Sequence, residues 1–172
     1  MLKKFLPDEH VERILDITPE KLKHAGIKGV ITDLDNTLVA WDVRDATPEV
    51  IEWFKIMRDN DIKVTIISNN EKERVSIFAE PLDAPFVYSA KKPLNHAFRQ
   101  ATKAMGLKKE EVVVVGDQIL TDVLGGNIAG FHTILVVPIV QTDGKITRIN
   151  RMIERRILRW MKRKGMMTWE DK

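Results

Sequence analysis

The stretch GVITDLDNTLVAWD, residues 29–42, places Asp33 and Asp35 two positions apart at the end of an apolar, β-branched run. The run 29–34 predicts a buried strand. The two carboxylates of such a strand would point to the same side, where repulsion and desolvation raise the pKa of at least one of them unless a cation is present. Mg²⁺ binds carboxylate oxygens and keeps positions for substrate oxygens. The stretch therefore predicts a magnesium site rather than simple turn or capping aspartates.

Apolar runs and amphipathic stretches alternate along the rest of the chain. Further strands are predicted at 63–68, 86–89, 112–116 and 133–137. Helices are predicted at 48–60, 71–80, 93–105 and 121–129. This alternation is typical of βαβ units, which form a parallel sheet with helices on both faces. The predicted fold is a doubly wound, Rossmann-like α/β domain.

Length and composition favour one domain without thiol chemistry. A chain of 172 residues with 44% hydrophobic residues can bury one core. We expect one domain over residues 1–172, made of a helical lead-in (1–27), a core (28–140) and a basic C-terminal helix and tail (141–172). The absence of cysteine excludes thiolate catalysis, thiolate metal sites and disulfides. No signal peptide or bilayer-spanning run is recognisable, so the expected location is cytoplasmic, with peripheral membrane contact as an option.

Polar residues follow the carboxyl ends of four predicted strands. In open α/β sheets, ligands bind outside these ends. The residues are Asp33 and Asp35 after the first strand, Ser68 and Asn69 after the second, Lys91 and Lys92 after the third, and Asp117 and Asp122 after the fourth. We expect them to form one site, in which Asp117 supplies a further carboxylate to the metal.

These segments carry a family resemblance over residues 28–140. The sequence DLDNTL resembles the DxDxT motif of the haloacid dehalogenase superfamily, and IISNN, KKP and GDQILTD resemble its other three motifs in the same order. With its size and its lead-in LPDEHVERILDI, the whole chain is similar to the small YqeG-like phosphatases of subfamily IIIA. These are related to mitochondrial and plastid phosphatidylglycerophosphate phosphatases.

The resemblance implies a role for each residue of the first motif. Asp33 would attack phosphorus to give an aspartyl-phosphate, while its second oxygen holds Mg²⁺. Asp35 would act as general acid and then as general base, and its backbone carbonyl would be the second metal ligand. Thr37 would shape the turn after the strand.

The resemblance also implies roles for the later motifs. Ser68, with the Asn69 backbone, would hydrogen-bond the phosphoryl group, and Lys92 would neutralise its charge. Asp117 would bind Mg²⁺ directly, and Asp122 would orient the groups around the metal.

Two positions keep alternative interpretations. Lys91 and Lys92 are adjacent, and we favour Lys92 because it directly precedes Pro93, as in the family pattern. Trp41 either contacts substrate or fastens its loop to the domain.

The chain leaves little room for a cap domain, which superfamily members acting on small metabolites usually carry. Only about ten residues separate the first motif from the helix predicted at 48–60, and the third strand runs directly into KKP. A site without a cap is open to large partners. The expected substrate is therefore a phosphate on a bulky molecule or at a surface.

The C-terminal segment 141–172 is strongly basic, with ten Lys or Arg against four acidic residues in a chain whose net charge is +3. From residue 146, Ile149, Ile153, Ile157 and Trp160 recur at steps of three or four, which predicts a basic amphipathic helix. Its apolar stripe either covers the sheet while the arginines stay solvated, or docks onto an anionic membrane surface. A third option is contact with nucleic acid or a ribosome.

The predicted function is Mg²⁺-dependent phosphomonoester hydrolysis through an aspartyl-phosphate. By resemblance, phosphatidylglycerophosphate or another bulky phosphate is the leading substrate. The alternatives are a phosphatase of a soluble or protein-borne phosphate, and a non-catalytic module that binds RNA or a ribosome through its basic helix.

Overall fold

The computed structural model describes residues 2–141 and 145–166. Within them lies a six-stranded sheet in the order β1-β6-β5-β2-β3-β4, in which all neighbours are parallel. The strands are Glu9–Val11 (β1), Gly29–Thr32 (β2), Lys63–Ile67 (β3), Phe86–Val87 (β4), Val112–Gly116 (β5) and His132–Val136 (β6). The predicted doubly wound parallel sheet is confirmed.

Helices cover both faces of this sheet. They are Pro19–His24 (α1), Pro48–Asp59 (α2), Lys72–Ala79 (α3), His96–Met105 (α4), Leu124–Ala129 (α5) and Lys145–Arg163 (α6). Strand β5 shows the two layers, because Val113 and Val115 pack with α1, α2 and α3 whereas Val112 and Val114 pack with α4. Side chains alternate between the faces of a strand, so a continuous valine run serves both layers.

The segment before β2 is only partly helical, which corrects the expected helical lead-in. It contains α1, but also β1, which pairs in parallel with β6 at the sheet edge. The sequence signal for β1 is weak because it has three residues, of which Glu9 and His10 are exposed. The strand predicted at 86–89 is shorter, Phe86–Val87, and the helix predicted at 121–129 begins with a π-helical turn at Ile119–Val123.

The loops on the carboxyl side of the sheet are short. Among the described residues, neither the connection 33–47 nor the connection 88–95 contains a helix or an inserted domain. The described helices also include none with the length and apolar character needed to cross a membrane. Residues 142–144 and 167–172 of the predicted basic tail lie outside the described range.

Helix α6 does not turn its predicted apolar stripe toward the sheet. Ile149 and Ile153 are 59% and 41% exposed, whereas Glu154 and Met161 are buried. Leu158 packs against the small cluster that includes Leu135 of β6. The alternative in which this stripe covers the sheet is therefore wrong, because the buried face of α6 is centred on Glu154 and Met161 instead.

Candidate active site

Three buried aspartates meet at the carboxyl edge of the sheet. Asp33 follows β2, Asp117 follows β5, and Asp122 lies in the π-helical turn before α5. Carboxylate oxygens of the three lie within 4.8 Å of one another. β2 and β5 are neighbours, and the Asp33 backbone N–H donates to the carbonyl of Val115 at 2.9 Å. We call these three residues the carboxylate cluster.

Lys92 enters this cluster from the loop after β4. Its Nζ donates to Asp33 Oδ1 at 2.7 Å and to Asp122 Oδ1 at 2.6 Å, and its side chain is 2% exposed. The side chain of Asn69 holds the Lys92 backbone: Oδ1 accepts from the Lys92 N–H at 2.7 Å, and Nδ2 donates to the Lys92 carbonyl at 3.3 Å. The neighbouring Lys91 is exposed, so Lys92 is the lysine that the fold places among the carboxylates.

Burial and mutual repulsion govern protonation in the cluster. Burial raises the pKa of Asp33 well above its ordinary value, and the carboxylates of Asp122 and Asp117 raise it further, against the opposing effect of Lys92. Burial raises the pKa of Asp117 to about 6, although Arg151 opposes the shift. Burial would lower the pKa of Lys92, but Asp122 and Asp33 outweigh it and raise that pKa, so the ammonium group stays charged.

The cluster fits a hard divalent cation. Two cationic side chains, Lys92 and Arg151, face three buried carboxylates, and burial together with repulsion among the carboxylates raises the pKa of Asp33 and Asp117. Carboxylate oxygens are the preferred ligands of Mg²⁺. The family resemblance implies only an orienting role for Asp122, yet its carboxylate belongs to this group. Thr37 Oγ1 donates to Asp117 Oδ1 at 3.2 Å, beyond its expected role in the turn.

Gly116 allows Asp122 to approach the end of β5. A Cβ atom at position 116 would overlap the Asp122 carboxylate. The backbone N–H of Gln118 donates to Asp122 Oδ2 at 3.2 Å, which orients the other oxygen toward Lys92.

Asp35 lies apart from the carboxylate cluster, in contrast to the expected same-side pair. Its Oδ1 accepts from Arg74 Nη2 at 2.9 Å, and its Oδ2 accepts from Asn70 Nδ2 at 3.2 Å. β2 ends at Thr32, and the chain turns at Asn36 with a φ of 62°, so strand alternation does not extend to position 35. Arg74 and Asn70 are not among the predicted site residues, although Asn70 ends the IISNN motif and Arg74 closely follows it.

The remaining predicted residues lie at the same edge. Ser68 is buried, and its Oγ accepts from the Asn70 N–H at 3.0 Å, while Asn69 is exposed and engaged with Lys92. Trp41 is 41% exposed, and its backbone N–H donates to Asn36 Oδ1 at 3.2 Å. Its loop is therefore fastened through the main chain, and the indole remains partly accessible.

Helix α6 contributes two residues that the sequence analysis missed. Arg151 pairs with the Asp117 carboxylate and donates through Nη1 to the Asp117 carbonyl at 2.8 Å. The same Nη1 donates to Glu154 Oε2 at 3.2 Å, and Glu154 Oε1 accepts from the Leu120 N–H at 3.0 Å. Burial raises the pKa of Glu154. Glu154 is the single acidic residue in the α6 sequence. An acidic residue alone in a basic helix was the sequence feature that could have indicated its contact with the core.

Residues 4–130 match the family model for haloacid dehalogenase-like hydrolases. The chain belongs to this family. The protein is a phosphatase of the haloacid dehalogenase type.

Similar proteins agree with this assignment. A Bacillus subtilis (strain 168) protein named "Probable phosphatase YqeG" is 62% identical, over 99% of this chain and 100% of the relative. Phosphatidylglycerophosphate phosphatase 1, chloroplastic/mitochondrial, of Arabidopsis thaliana is 31% identical over 94% of this chain, which spans 49% of that relative. The cobalt-bound deoxy-D-mannose-octulosonate 8-phosphate phosphatase of Haemophilus influenzae shares the fold, with a TM-score of 0.57 and 21% identity over 66% of this chain and 70% of that one.

Proposed function

We propose that this haloacid dehalogenase-type phosphatase hydrolyses phosphomonoesters with Mg²⁺, through an aspartyl-phosphate on Asp33. The observation that carries the proposal is the buried carboxylate cluster with Lys92 at its centre. A purely structural arrangement of this kind would be costly, because burying several charges requires full compensation. A divalent cation would compensate the carboxylates, and the cation and Lys92 together would balance the negative charge of a bound phosphoryl group, which gives the cluster a chemical purpose.

The metal would be held by the carboxylates of Asp33 and Asp117, with Asp122 beside them. Bound there, Mg²⁺ supplies positive charge to the carboxylates and to a phosphoryl oxygen. By family resemblance, the backbone carbonyl of Asp35 would be a further ligand.

The residues of the chain then divide the reaction into two displacements. An Asp33 carboxylate oxygen forms a bond to phosphorus as the bond to the leaving oxygen breaks, and Asp35 gives that oxygen a proton. Asp35 next takes a proton from water, which attacks phosphorus and releases the Asp33 carboxylate with phosphate. Arg74 and Asn70 orient Asp35 for both proton transfers. Lys92 balances phosphoryl charge, and Ser68, with Asn69, hydrogen-bonds the phosphoryl oxygens.

For the substrate we propose phosphatidylglycerophosphate or another bulky phosphate. Two observations support this choice. The Arabidopsis relative carries that activity in its name. Among the described residues, the connections 33–47 and 88–95 leave the carboxylate edge without a covering domain, so a large substrate has access.

The test is phosphate release from phosphatidylglycerophosphate in mixed detergent micelles, with Mg²⁺ or with EDTA. We expect Mg²⁺-dependent release, with a kcat/KM at least about tenfold above that for glycerol 3-phosphate or an aryl phosphate. Mg²⁺-dependent hydrolysis of the soluble esters alone would support the proposed mechanism but contradict the lipid substrate. The substrate would then be a soluble or protein-borne phosphate. Release that EDTA does not affect would contradict the metal requirement.

Mg²⁺ binding should weaken as the pH falls through about 6. The pKa of Asp117 is raised to about 6, and that of Asp33 is also raised. Metal ligands must be deprotonated, so the apparent Mg²⁺ affinity should fall about tenfold per pH unit below 6. Without metal, the contribution of Asp117 to the free energy of unfolding has the opposite pH dependence. A carboxyl group whose pKa is raised in the folded state stabilises the fold at low pH, and this contribution is lost as the pH rises through 6.

The measurement is the Mg²⁺-induced shift of the thermal unfolding midpoint at pH 5.0 and 7.5. Wild type should show a large shift only at the higher pH, and Asp117→Asn should show little at either. Equal shifts at both pH values in wild type would contradict the assignment of Asp117.

A further inference from the structure

A cleft of about 620 Å³ lies between α6 and the segment that follows β6. It is large enough for a small molecule, since ligand pockets range from about 300 to 1,000 Å³. Asp117 lines it and is also part of the carboxylate cluster, so the cleft and the catalytic centre are neighbours. Nothing in the proposed reaction uses this space.

The two walls of the cleft differ in chemistry. On the α6 side, arginines recur at steps of three and four, which keeps them on one side of the helix. They are Arg148, Arg151, Arg155 and Arg159. The opposite wall is largely apolar and consists mainly of Leu135, Val136, Val137, Pro138 and Val140.

Three of the arginines are available to a ligand. Arg151 is engaged with Asp117 and Glu154. Within residues 2–141 and 145–166, Arg148, Arg155 and Arg159 are exposed and form no ion pair with a carboxylate, and Arg159 Nε donates only to the Arg155 carbonyl, at 3.2 Å. Three guanidinium groups without a carboxylate partner among the described residues, facing an apolar wall, complement an anion attached to an apolar body.

We propose that this cleft binds a second anionic group of the substrate, a phosphodiester on an apolar body, while the monoester occupies the carboxylate cluster. The inference rests on the proposed function, which places a phosphomonoester beside Asp117. Guanidinium groups bind phosphate oxygens through paired hydrogen bonds, and a diester keeps one negative charge for them. The apolar wall holds the part of the ligand beyond the diester.

Binding without turnover tests the cleft separately from catalysis. The probe is dihexanoyl phosphatidylglycerol below its micelle concentration, which carries the diester and short acyl chains but no monoester. Isothermal titration calorimetry compares wild type, Arg155→Ala and Arg156→Ala. The two substituted residues are adjacent, exposed and equal in charge, but Arg156 does not line the cleft.

We expect the dissociation constant to rise about tenfold in Arg155→Ala, the size of a charged hydrogen-bonded contact, and less than about twofold in Arg156→Ala. Arg159→Ala should behave like Arg155→Ala. The deacylated headgroup glycerophosphoglycerol should bind at least about tenfold more weakly than the lipid. Circular dichroism and thermal unfolding show whether each variant is folded.

Several results would overturn the proposal. Equal weakening by Arg155→Ala and Arg156→Ala would mean diffuse attraction to the helix, and equal affinity for the headgroup and the lipid would remove the role of the apolar wall. Tight binding of a short single-stranded RNA, weakened equally by both variants, would assign the arginines to nucleic acid. Phosphate release without lipid binding would leave the proposed function intact and refute lipid binding in the cleft. Lipid binding by a protein that releases no phosphate would support binding in the cleft and refute the proposed function.

Discussion

Asp33→Asn will lower kcat for phosphate release by at least about 10⁴-fold, because the amide cannot form the bond to phosphorus. The fold should tolerate the change. Burial already disfavours the charged form of Asp33. An asparagine Oδ1 can still accept the hydrogen bond that Lys92 Nζ donates to Asp33 Oδ1 at 2.7 Å in the wild type. Steady-state hydrolysis of an aryl phosphate at saturating Mg²⁺ measures the loss, and urea unfolding verifies stability.

Asp42→Asn is the matched control for this substitution. Asp42 lies in the same post-strand segment but is exposed, so its variant should retain kcat within about twofold. Retention of more than a tenth of wild-type kcat by Asp33→Asn would rule out Asp33 as the nucleophile.

Lys92→Met will lower the free energy of unfolding by about 3–5 kcal/mol at neutral pH without metal, because it leaves buried carboxylates without their cation. The substitution removes the ion pairs from Nζ to Asp33 and to Asp122, both in a site nearly closed to water. The difference in the free energy of unfolding between wild type and Lys92→Met should become smaller as the pH falls toward 4, since protonation of the carboxyl groups removes the uncompensated charge. Urea unfolding between pH 4 and 8 measures it.

Lys91→Met provides the control, with the same chemical change at an exposed neighbour. Its stability should stay within about 0.5 kcal/mol of wild type at every pH. If the free energy of unfolding of Lys92→Met is lower than that of wild type by the same amount at every pH, the variant is destabilised by poorer packing rather than by the missing charge.

The sequence predicted the parts of this site that depend on topology. Parallel strands with helical crossovers place their carboxyl ends at one edge, so Asp33, Ser68, Lys92 and Asp117 could be grouped before their geometry was known. Their positions follow from the order of strands along the chain, which hydrophobic runs reveal.

The features that the sequence did not predict depend on side-chain direction and on pairs distant along the chain. The hydrogen bond from Arg151 to Asp117 joins residues 34 positions apart, and an amphipathic pattern does not show which face of α6 turns inward. The separation of Asp35 from the cluster depends on where β2 ends, and strand ends are the least certain feature of a hydrophobic run. Strand β1 was missed because an edge strand of three residues, two of them polar and exposed, lacks the periodicity that reveals the inner strands.

The position of Lys92 between Asp33 and Asp122 also bears on how this protein can change. In many enzymes the catalytic residues weaken the fold, so that replacing them trades activity for robustness. Here a single ammonium group both stabilises the buried carboxylates and, in the proposed reaction, balances phosphoryl charge. With the proposed reaction, selection for stability and selection for catalysis would act in the same direction at position 92. A descendant that lost this lysine would then also need to replace Asp33 and Asp122.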